Sequence, residues 1–151
     1  MKLFKRSSAK GGSMNVLLSI RPVFVERILN GSKKYEFRRT PFRASVRRVE
    51  IYASAPVKKI VGSFVPGKIL MDTPNRLWEL LWKDSGLSEE EFFGYFRGAQ
   101  IGFAIPIARI ESYNPSIDPY RESPSFRAPQ SFVYRKNSFP LFPDLAFPET
   151  T

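Results

Sequence analysis

The chain has 151 residues, of which 42% are hydrophobic and 15% aromatic, so it carries enough apolar material for the core of one globular domain. It contains no cysteine and no histidine, which excludes disulfides, thiolate metal sites and imidazole as a zinc ligand or general base. Its formal net charge of +10 favours a polyanionic partner, most often nucleic acid.

The positive charge is concentrated in the first third of the chain. Residues 1–48 hold 13 lysines and arginines against two acidic residues, whereas the remainder has 11 basic and 12 acidic residues. We therefore expect RNA or a nucleotide-like ligand to bind through this first third. The alternative is a basic tail that only promotes solubility.

Hydropathy gives no indication of a membrane protein. No run reaches the roughly 18 apolar residues that a spanning helix needs, and the basic start lacks the apolar segment of a secretion signal. We expect a soluble, cytoplasmic protein that needs no metal and no cofactor. The oligomeric state is not predicted.

The first part of the chain predicts an arm followed by a strand, a helix and a second strand. Residues 1–13 have no hydrophobic period and are predicted to be a flexible basic arm. A strand over 16–20 precedes a helix that opens at Pro22 and is ended by Gly31 as a left-handed cap. The strand predicted over 33–39 then places Glu36 and Arg38 on one face.

The rest of the chain predicts four more strands and a helical insert. Strands are expected at 46–54, 59–65, 102–113 and 130–135, and Pro106 suggests that the third of these is an edge strand or carries a bulge. Thr73 before Pro74 and a capping box from Ser88 to Glu91 start the two helices of the insert. Residues 114–126 are expected to be a loop.

These elements indicate an α+β fold. We predict a small closed or partly closed β-barrel of about five to six strands, with an early helix and a two-helix insert. The domain spans 14–135, and 136–151 form a disordered tail rich in proline and phenylalanine.

A spaced motif follows the early helix. Gly31, Lys33, Glu36 and Arg38 occur in the order G-x-K-x-x-E-x-R. With the preceding strand and helix, this pattern resembles the signature of the ASCH domain, a relative of the PUA RNA-binding fold. Residues 14–135 are similar to the branch described as PUA-like predicted transcriptional regulators. The resemblance implies a β-barrel with a cleft, lined by the motif, that binds RNA or a modified nucleotide.

The motif residues allow both binding and catalysis. Lys33 is either a phosphate-binding ammonium or, if desolvated, a base or nucleophile. Glu36 is either a general base, an acceptor for a base amino group, or a structural partner of Arg38 or Arg21. Some ASCH proteins are amidohydrolases acting on acetylated cytidine, but these carry a threonine where this chain has Glu36.

Two sets of residues are therefore predicted to contact the ligand. The cleft set, in which Lys33 and Glu36 are catalytic only if the protein is an enzyme, is Ser19, Arg21, Gly31, Lys33, Tyr35, Glu36, Arg38, Gln130 and Ser131. The outer basic surface set is Lys34, Arg39, Arg43, Arg47 and Arg48. Tyr35 and Tyr52 are stacking candidates, although aromatic residues on strands are more often core residues.

Three functions remain open. The first is a nucleic-acid-binding module with a regulatory role, and the second is a hydrolase of the same fold that acts on RNA or an acylated nucleoside. The third is a protein-interaction domain that uses the aromatic insert or the tail.

Overall fold

The computed structural model describes residues 2–4 and 14–136. The strands are β1 (Lys2–Leu3), β2 (Met14–Ile20), β3 (Tyr35–Arg38), β4 (Val46–Ala53), β5 (Lys59–Pro66), β6 (Leu70–Asp72), β7 (Gly102–Ile117) and β8 (Phe132–Arg135). The helices are α1 (Pro22–Leu29), α2 (Pro74–Leu81), α3 (Glu89–Tyr95) and α4 (Pro119–Glu122), with a short 3-10 helix at Trp82–Asp84. None of these helices is long and apolar enough to cross a membrane.

The strands form one mixed sheet in the order β1-β6-β7-β5-β4-β2-β8, and β3 pairs with β7 beside this path. Among the described strands only β2 and β4 pair in parallel, because the chain between them crosses over through α1 and β3. Within the described residues no strand pairing closes the sheet, so the predicted barrel is not confirmed. Side chains approach across the opening instead, since Phe42 packs edge-on against Phe132 with ring centroids 4.9 Å apart.

The strand prediction misses β1 and β6, which have two and three residues and are too short to show a period. They pair with each other through Lys2–Met71 and Leu3–Leu70. β1 lies in the segment predicted to be a flexible arm, of which residues 1 and 5–13 are outside the described residues. So is nearly all of the predicted tail, from residue 137 onwards.

Local signals place the helices as predicted. Pro22 occupies the first turn of α1, and Gly31, at a φ of +87°, follows the helix in the left-handed region. The Thr73 side chain accepts a hydrogen bond from the Arg76 backbone N–H, and Ser88 and Glu91 form a complete capping box. α2 and α3 thus form the predicted insert, whose own core contains Phe92 and Phe96.

The sheet is covered on both faces. Val49, Ile51 and Ala53 of β4 point into the main core as predicted, but Tyr52 between them is only 2% exposed. Tyr52 belongs to a second cluster with Leu17, Ile60 and Phe126 on the other face. The alternation therefore separates two buried faces and not an inside from an outside.

Two predictions for the second half are wrong in part. β7 is not an edge strand in its first half, where both β3 and β6 pair with it, whereas among the described strands only β5 pairs with its second half. Pro106 lies where the partner changes, and register shifts against β5 follow it, as the predicted bulge requires. The loop expected at 114–126 contains the end of β7 and α4, where the Asp118 side chain caps the Tyr120 backbone N–H.

Candidate functional site

Five of the nine predicted cleft residues line a pocket of about 120 Å³ at the end of β2, which we call the inner pocket. Its polar lining residues are Ser19, Arg21, Lys33, Glu36, Arg38 and Tyr95. Ile20, Phe24, Phe37 and Leu87 supply its apolar walls. The pocket lies between the sheet and the insert, because Leu87 and Tyr95 come from the insert and the other residues from β2, α1, β3 and the turn between α1 and β3.

Lys33 enters the protein interior directly after α1. The turn is closed by a 2.9 Å hydrogen bond from the Lys33 backbone N–H to the Arg27 carbonyl oxygen. The Lys33 side chain is only 2% exposed, and its Nζ donates to the Ser85 carbonyl oxygen at 2.9 Å. Nζ also lies 5.0 Å from the centre of the Phe37 ring, within the range of a cation–π contact. An ammonium group is therefore held in a largely apolar surrounding.

The Glu36 carboxylate lies between two cations. One oxygen is 4.0 Å from Lys33 Nζ, and the other accepts a hydrogen bond from Arg38 Nη1 at 3.3 Å. Arg38 Nη2 also donates to the Ser131 hydroxyl. The three charged side chains carry a formal sum of +1 beside the pocket, so an anionic group is the natural complement.

Burial changes the acid–base behaviour of Lys33. Desolvation disfavours the charged ammonium and lowers the pKa of Lys33 from 10.5 to about 8, although the Glu36 carboxylate opposes this shift. The group thus exchanges protons close to neutral pH, where a general acid or base is most effective.

The insert determines where Lys33 lies. Arg27 Nη1 donates to the Gly86 carbonyl oxygen at 2.8 Å and to the Glu91 carboxylate at 3.0 Å. The Lys34 backbone N–H donates to the Asp84 carbonyl oxygen at 2.8 Å. These contacts hold the turn that carries the Ser85 carbonyl oxygen against the ammonium. Gly86 lies so close that an added Cβ would be 2.8 Å from the Lys33 Cα.

A second pocket, which we call the outer pocket, shares the Ser19–Arg21 segment with the inner pocket and has a volume of about 340 Å³. Tyr52, Lys58, Tyr120 and Gln130 are among its lining residues. The Tyr52 and Tyr120 hydroxyl groups lie 3.0 Å apart, and burial followed by this hydrogen bond raises the pKa of Tyr52. Ser19, Ile20 and Arg21 line both pockets, which are therefore neighbours.

The structure distributes the predicted cleft set over several places. Five members, Ser19, Arg21, Lys33, Glu36 and Arg38, line the inner pocket. Ser131 contacts it through Arg38, and Gln130 lines the outer pocket. Tyr35 packs against the core of the insert, and Gly31 is an exposed helix cap, so neither lines either pocket.

The predicted basic surface is not one continuous patch. Arg39 donates to the carbonyl oxygens of Tyr95 and Arg97 and so fastens β3 to the insert. Arg47 and Arg48 are exposed at the start of β4, whereas the pockets lie at the end of the parallel strand β2. Arg43 lies over the Phe4 ring at 5.8 Å, and Lys34 is exposed next to Lys33.

Several residues that line the two pockets were not predicted from the sequence. Leu87 and Tyr95 reach the inner pocket from the insert, and Lys58 and Tyr120 reach the outer pocket from turns and α4. The Asp118–Pro119 helix start is the one local signal that indicates an ordered element near Tyr120. The described residues contain no group of three or more acidic side chains that could hold a metal ion.

The lowered pKa of Lys33 predicts a pH effect on stability. The unfolded lysine keeps its proton up to about pH 10.5, but the folded one releases it near pH 8, so the free energy of unfolding should rise with pH between these values. Relative to Lys33→Met, the wild type should gain up to about 3 kcal/mol across this range. Urea denaturation of both proteins at pH 7 and pH 10.5 measures this gain. A difference that does not change with pH would mean that Lys33 titrates normally.

The contact between Gly86 and Lys33 predicts an unequal response to two glycine substitutions. Gly86 and Gly98 both have a positive φ, +67° and +81°, but a Cβ on Gly98 would meet nothing within 4 Å. Gly98→Ala should cost only the left-handed strain of about 1–2 kcal/mol. Gly86→Ala should lower the free energy of unfolding by about a further 1–3 kcal/mol, because the added methyl group displaces Lys33. Equal losses of unfolding free energy in denaturation curves would contradict the close packing.

A curated relative and a solved structure, both ASCH proteins, resemble this chain over most of its length. No family model matches the chain. The ASCH domain-containing ribonuclease of Zymomonas mobilis subsp. mobilis is 31% identical over 121 residues, which cover 78% of this chain and 82% of the relative. The crystal structure of ASCH from Zymomonas mobilis matches with a TM-score of 0.73 and 29% identity, over 80% of this chain and 86% of that one.

A more distant match supports the fold alone. The N-terminal domain of Staphylothermus marinus McrB has a TM-score of 0.54 at 12% identity, over 85% of this chain and 91% of that one.

The motif, the arrangement of strands around it and the 31% identical relative lead to one conclusion about the family. The chain belongs to the ASCH domain family.

Proposed function

We propose that this protein binds RNA and takes one nucleotide into the inner pocket. The observation that carries the proposal is the group formed by the buried Lys33 and Glu36 and the half-buried Arg38 at the pocket wall. Three charges with an excess of +1 are costly to bury, and they are compensated best when an anionic ligand joins them. A nucleotide phosphate has the required charge and a size that suits contact with two cationic side chains.

The free donors of the pocket support a phosphate ligand. The Nε of Arg38 is buried and makes no hydrogen bond with any described residue, although its two terminal nitrogens are occupied. Arg21 is exposed at the pocket edge. Arginine offers planar, paired donors that match phosphate oxygens, so these two side chains are the phosphate ligands of the proposal.

The remaining lining suits the rest of a nucleotide. Glu36 is an acceptor for an exocyclic amino group, and Phe24 and Tyr95 supply apolar surface for a base or ribose. This nucleotide binding would serve a regulatory role in transcription. Binding without turnover is the property that a regulator would need.

A second candidate function is RNA cleavage at the same pocket. Two observations favour it. The 31% identical relative is an ASCH domain-containing ribonuclease, and the pKa of Lys33 is lowered. In this reaction Glu36 removes the proton of a ribose 2′-hydroxyl, whose oxygen bonds to the neighbouring phosphorus. The bond from phosphorus to the 5′-oxygen breaks, and that oxygen takes a proton from the Lys33 ammonium. The products are a 2′,3′-cyclic phosphate and a 5′-hydroxyl, with Arg38 opposite the developing charge.

Hydrolysis of an acylated nucleoside is the less favoured chemistry. It would require the hydroxyl group that the amidohydrolase branch carries where this chain has Glu36. Ser19 is the hydroxyl in the pocket lining besides that of Tyr95, but its Oγ already donates to the Pro129 carbonyl oxygen at 2.6 Å.

One set of lysine variants tests binding and cleavage together. We expect single-stranded RNA to bind with an affinity that falls steeply with salt. Lys33→Met should weaken binding of a 2′-fluoro RNA, which lacks the attacking hydroxyl, about tenfold or more. It should also reduce cleavage of the matching RNA by about 100-fold or more. Fluorescence anisotropy measures the first effect and gel analysis of end-labelled products the second.

Two further variants distinguish a role of Lys33 in binding from its role as the acid in cleavage. Lys68→Met removes an exposed lysine from the turn between β5 and β6 and should leave both activities unchanged. Lys33→Arg keeps the positive charge but not the ionisation near pH 8, so it should retain more binding than cleavage. Equal binding by wild type and Lys33→Met would refute the inner pocket as the nucleotide site. Undiminished cleavage by Lys33→Arg would exclude Lys33 as the acid.

A further inference from the structure

The outer pocket has the features of a ligand site that the proposed function does not use. It is the larger of the two pockets around the Ser19–Arg21 segment, and one wall is formed by the exposed face of Tyr120. From its position and lining we propose that the outer pocket is a second nucleotide subsite. The protein then binds a dinucleotide step of RNA, with one nucleotide in each pocket and the linking phosphate at Arg21. This inference rests on the proposed function of the inner pocket.

Tyr120 is held in place as a stacking platform would have to be. Its hydroxyl is hydrogen-bonded to that of the buried Tyr52, and its ring packs edge-on against Phe126 at 5.0 Å. The side chain nevertheless remains 38% exposed. A ring that is fixed at two points and open on one side can stack on a base without losing further conformational freedom.

Lys58 places a cation on the same pocket at the cost of backbone strain. It has a φ of +56°, in the left-handed region that glycine or asparagine occupies more easily. Its backbone N–H donates to the Ala53 carbonyl oxygen at 2.9 Å and so fixes the turn between β4 and β5. Because Lys58 lines the pocket, this turn holds a cation where a phosphate of the bound ligand could reach it.

The segment shared by the pockets explains why they would act on one ligand. Ser19 and Ile20 end β2, and Arg21 is exposed directly after them. The guanidinium of Arg21 lies 5.5 Å from the centre of the Phe24 ring, which belongs to the inner pocket. Arg21 also lines the outer pocket, so one phosphate bound by this residue has a nucleotide site on either side.

The test compares ligands of one and two nucleotides. The probes are 2′-deoxy dinucleotides, which cannot be cleaved through a 2′-hydroxyl, and the corresponding 2′-deoxynucleoside 3′-monophosphates, each with all four bases. For at least one base, calorimetry should give wild-type protein an affinity for the dinucleotide about tenfold higher than for the monophosphate. Tyr120→Leu should remove most of this gain without changing the affinity for the monophosphate. Tyr120→Phe, which keeps the ring, should retain the gain.

A charge variant tests the cation of the subsite separately. Lys58→Asn removes the charge but tolerates the positive φ, and it should lower dinucleotide affinity several-fold. The matched control, Lys68→Asn, should have no effect. The second subsite is refuted if monophosphates bind but the dinucleotide binds no more tightly, or if Tyr120→Leu keeps the gain. If no probe binds, both the proposed function and this inference fail.

Discussion

The site depends on the burial of one ammonium group. Lys33 is 2% exposed, and its charge is compensated by the Ser85 carbonyl oxygen at 2.9 Å and by the Glu36 carboxylate at 4.0 Å. Burying an unpaired ammonium in such a position would lower the free energy of unfolding by roughly several kcal/mol. The surrounding elements therefore have to supply these partners. One partner comes from the insert and the other from β3. The position of Lys33 therefore requires that the insert and β3 be held together.

This requirement explains the contacts that join the insert to the sheet. Arg27 holds the turn at Gly86 and the helix α3 through Glu91, and Arg39 holds the end of α3 through two carbonyl oxygens. Both arginines are thus used for structure in a chain whose excess of positive charge suggests nucleic-acid binding. The cations left beside the pockets are fewer, chiefly Arg21, Arg38 and Lys58, and they surround one short segment of β2.

Local features of the fold could be predicted from the sequence, and features set by distant pairings could not. Pro22, Gly31 and the capping box at Ser88 act within one turn of the chain, so the helices they bound are found where the patterns place them. The motif spacing likewise brings Lys33, Glu36 and Arg38 to one pocket. By contrast, the Lys33–Ser85 contact joins residues 52 positions apart, and the Tyr52–Tyr120 contact joins residues 68 positions apart. No hydrophobic period or motif spacing predicts either contact. Pro106 suggests an edge strand, yet Pro106 itself pairs with Tyr35 of β3. Only the residues of β7 after it have β5 as their single partner among the described strands.

The nucleotide site that we propose is formed by the buried Lys33 and Glu36 together with the half-buried Arg38. The most direct measurement is a crystal structure of the protein with a 2′-fluoro RNA oligonucleotide that it cannot cleave. We expect a phosphate oxygen within hydrogen-bond distance of Arg38 or Arg21, with the attached nucleotide in the inner pocket between Phe24 and Tyr95. RNA that lies only along the exposed arginines at the start of β4, with the inner pocket filled by water, would contradict it.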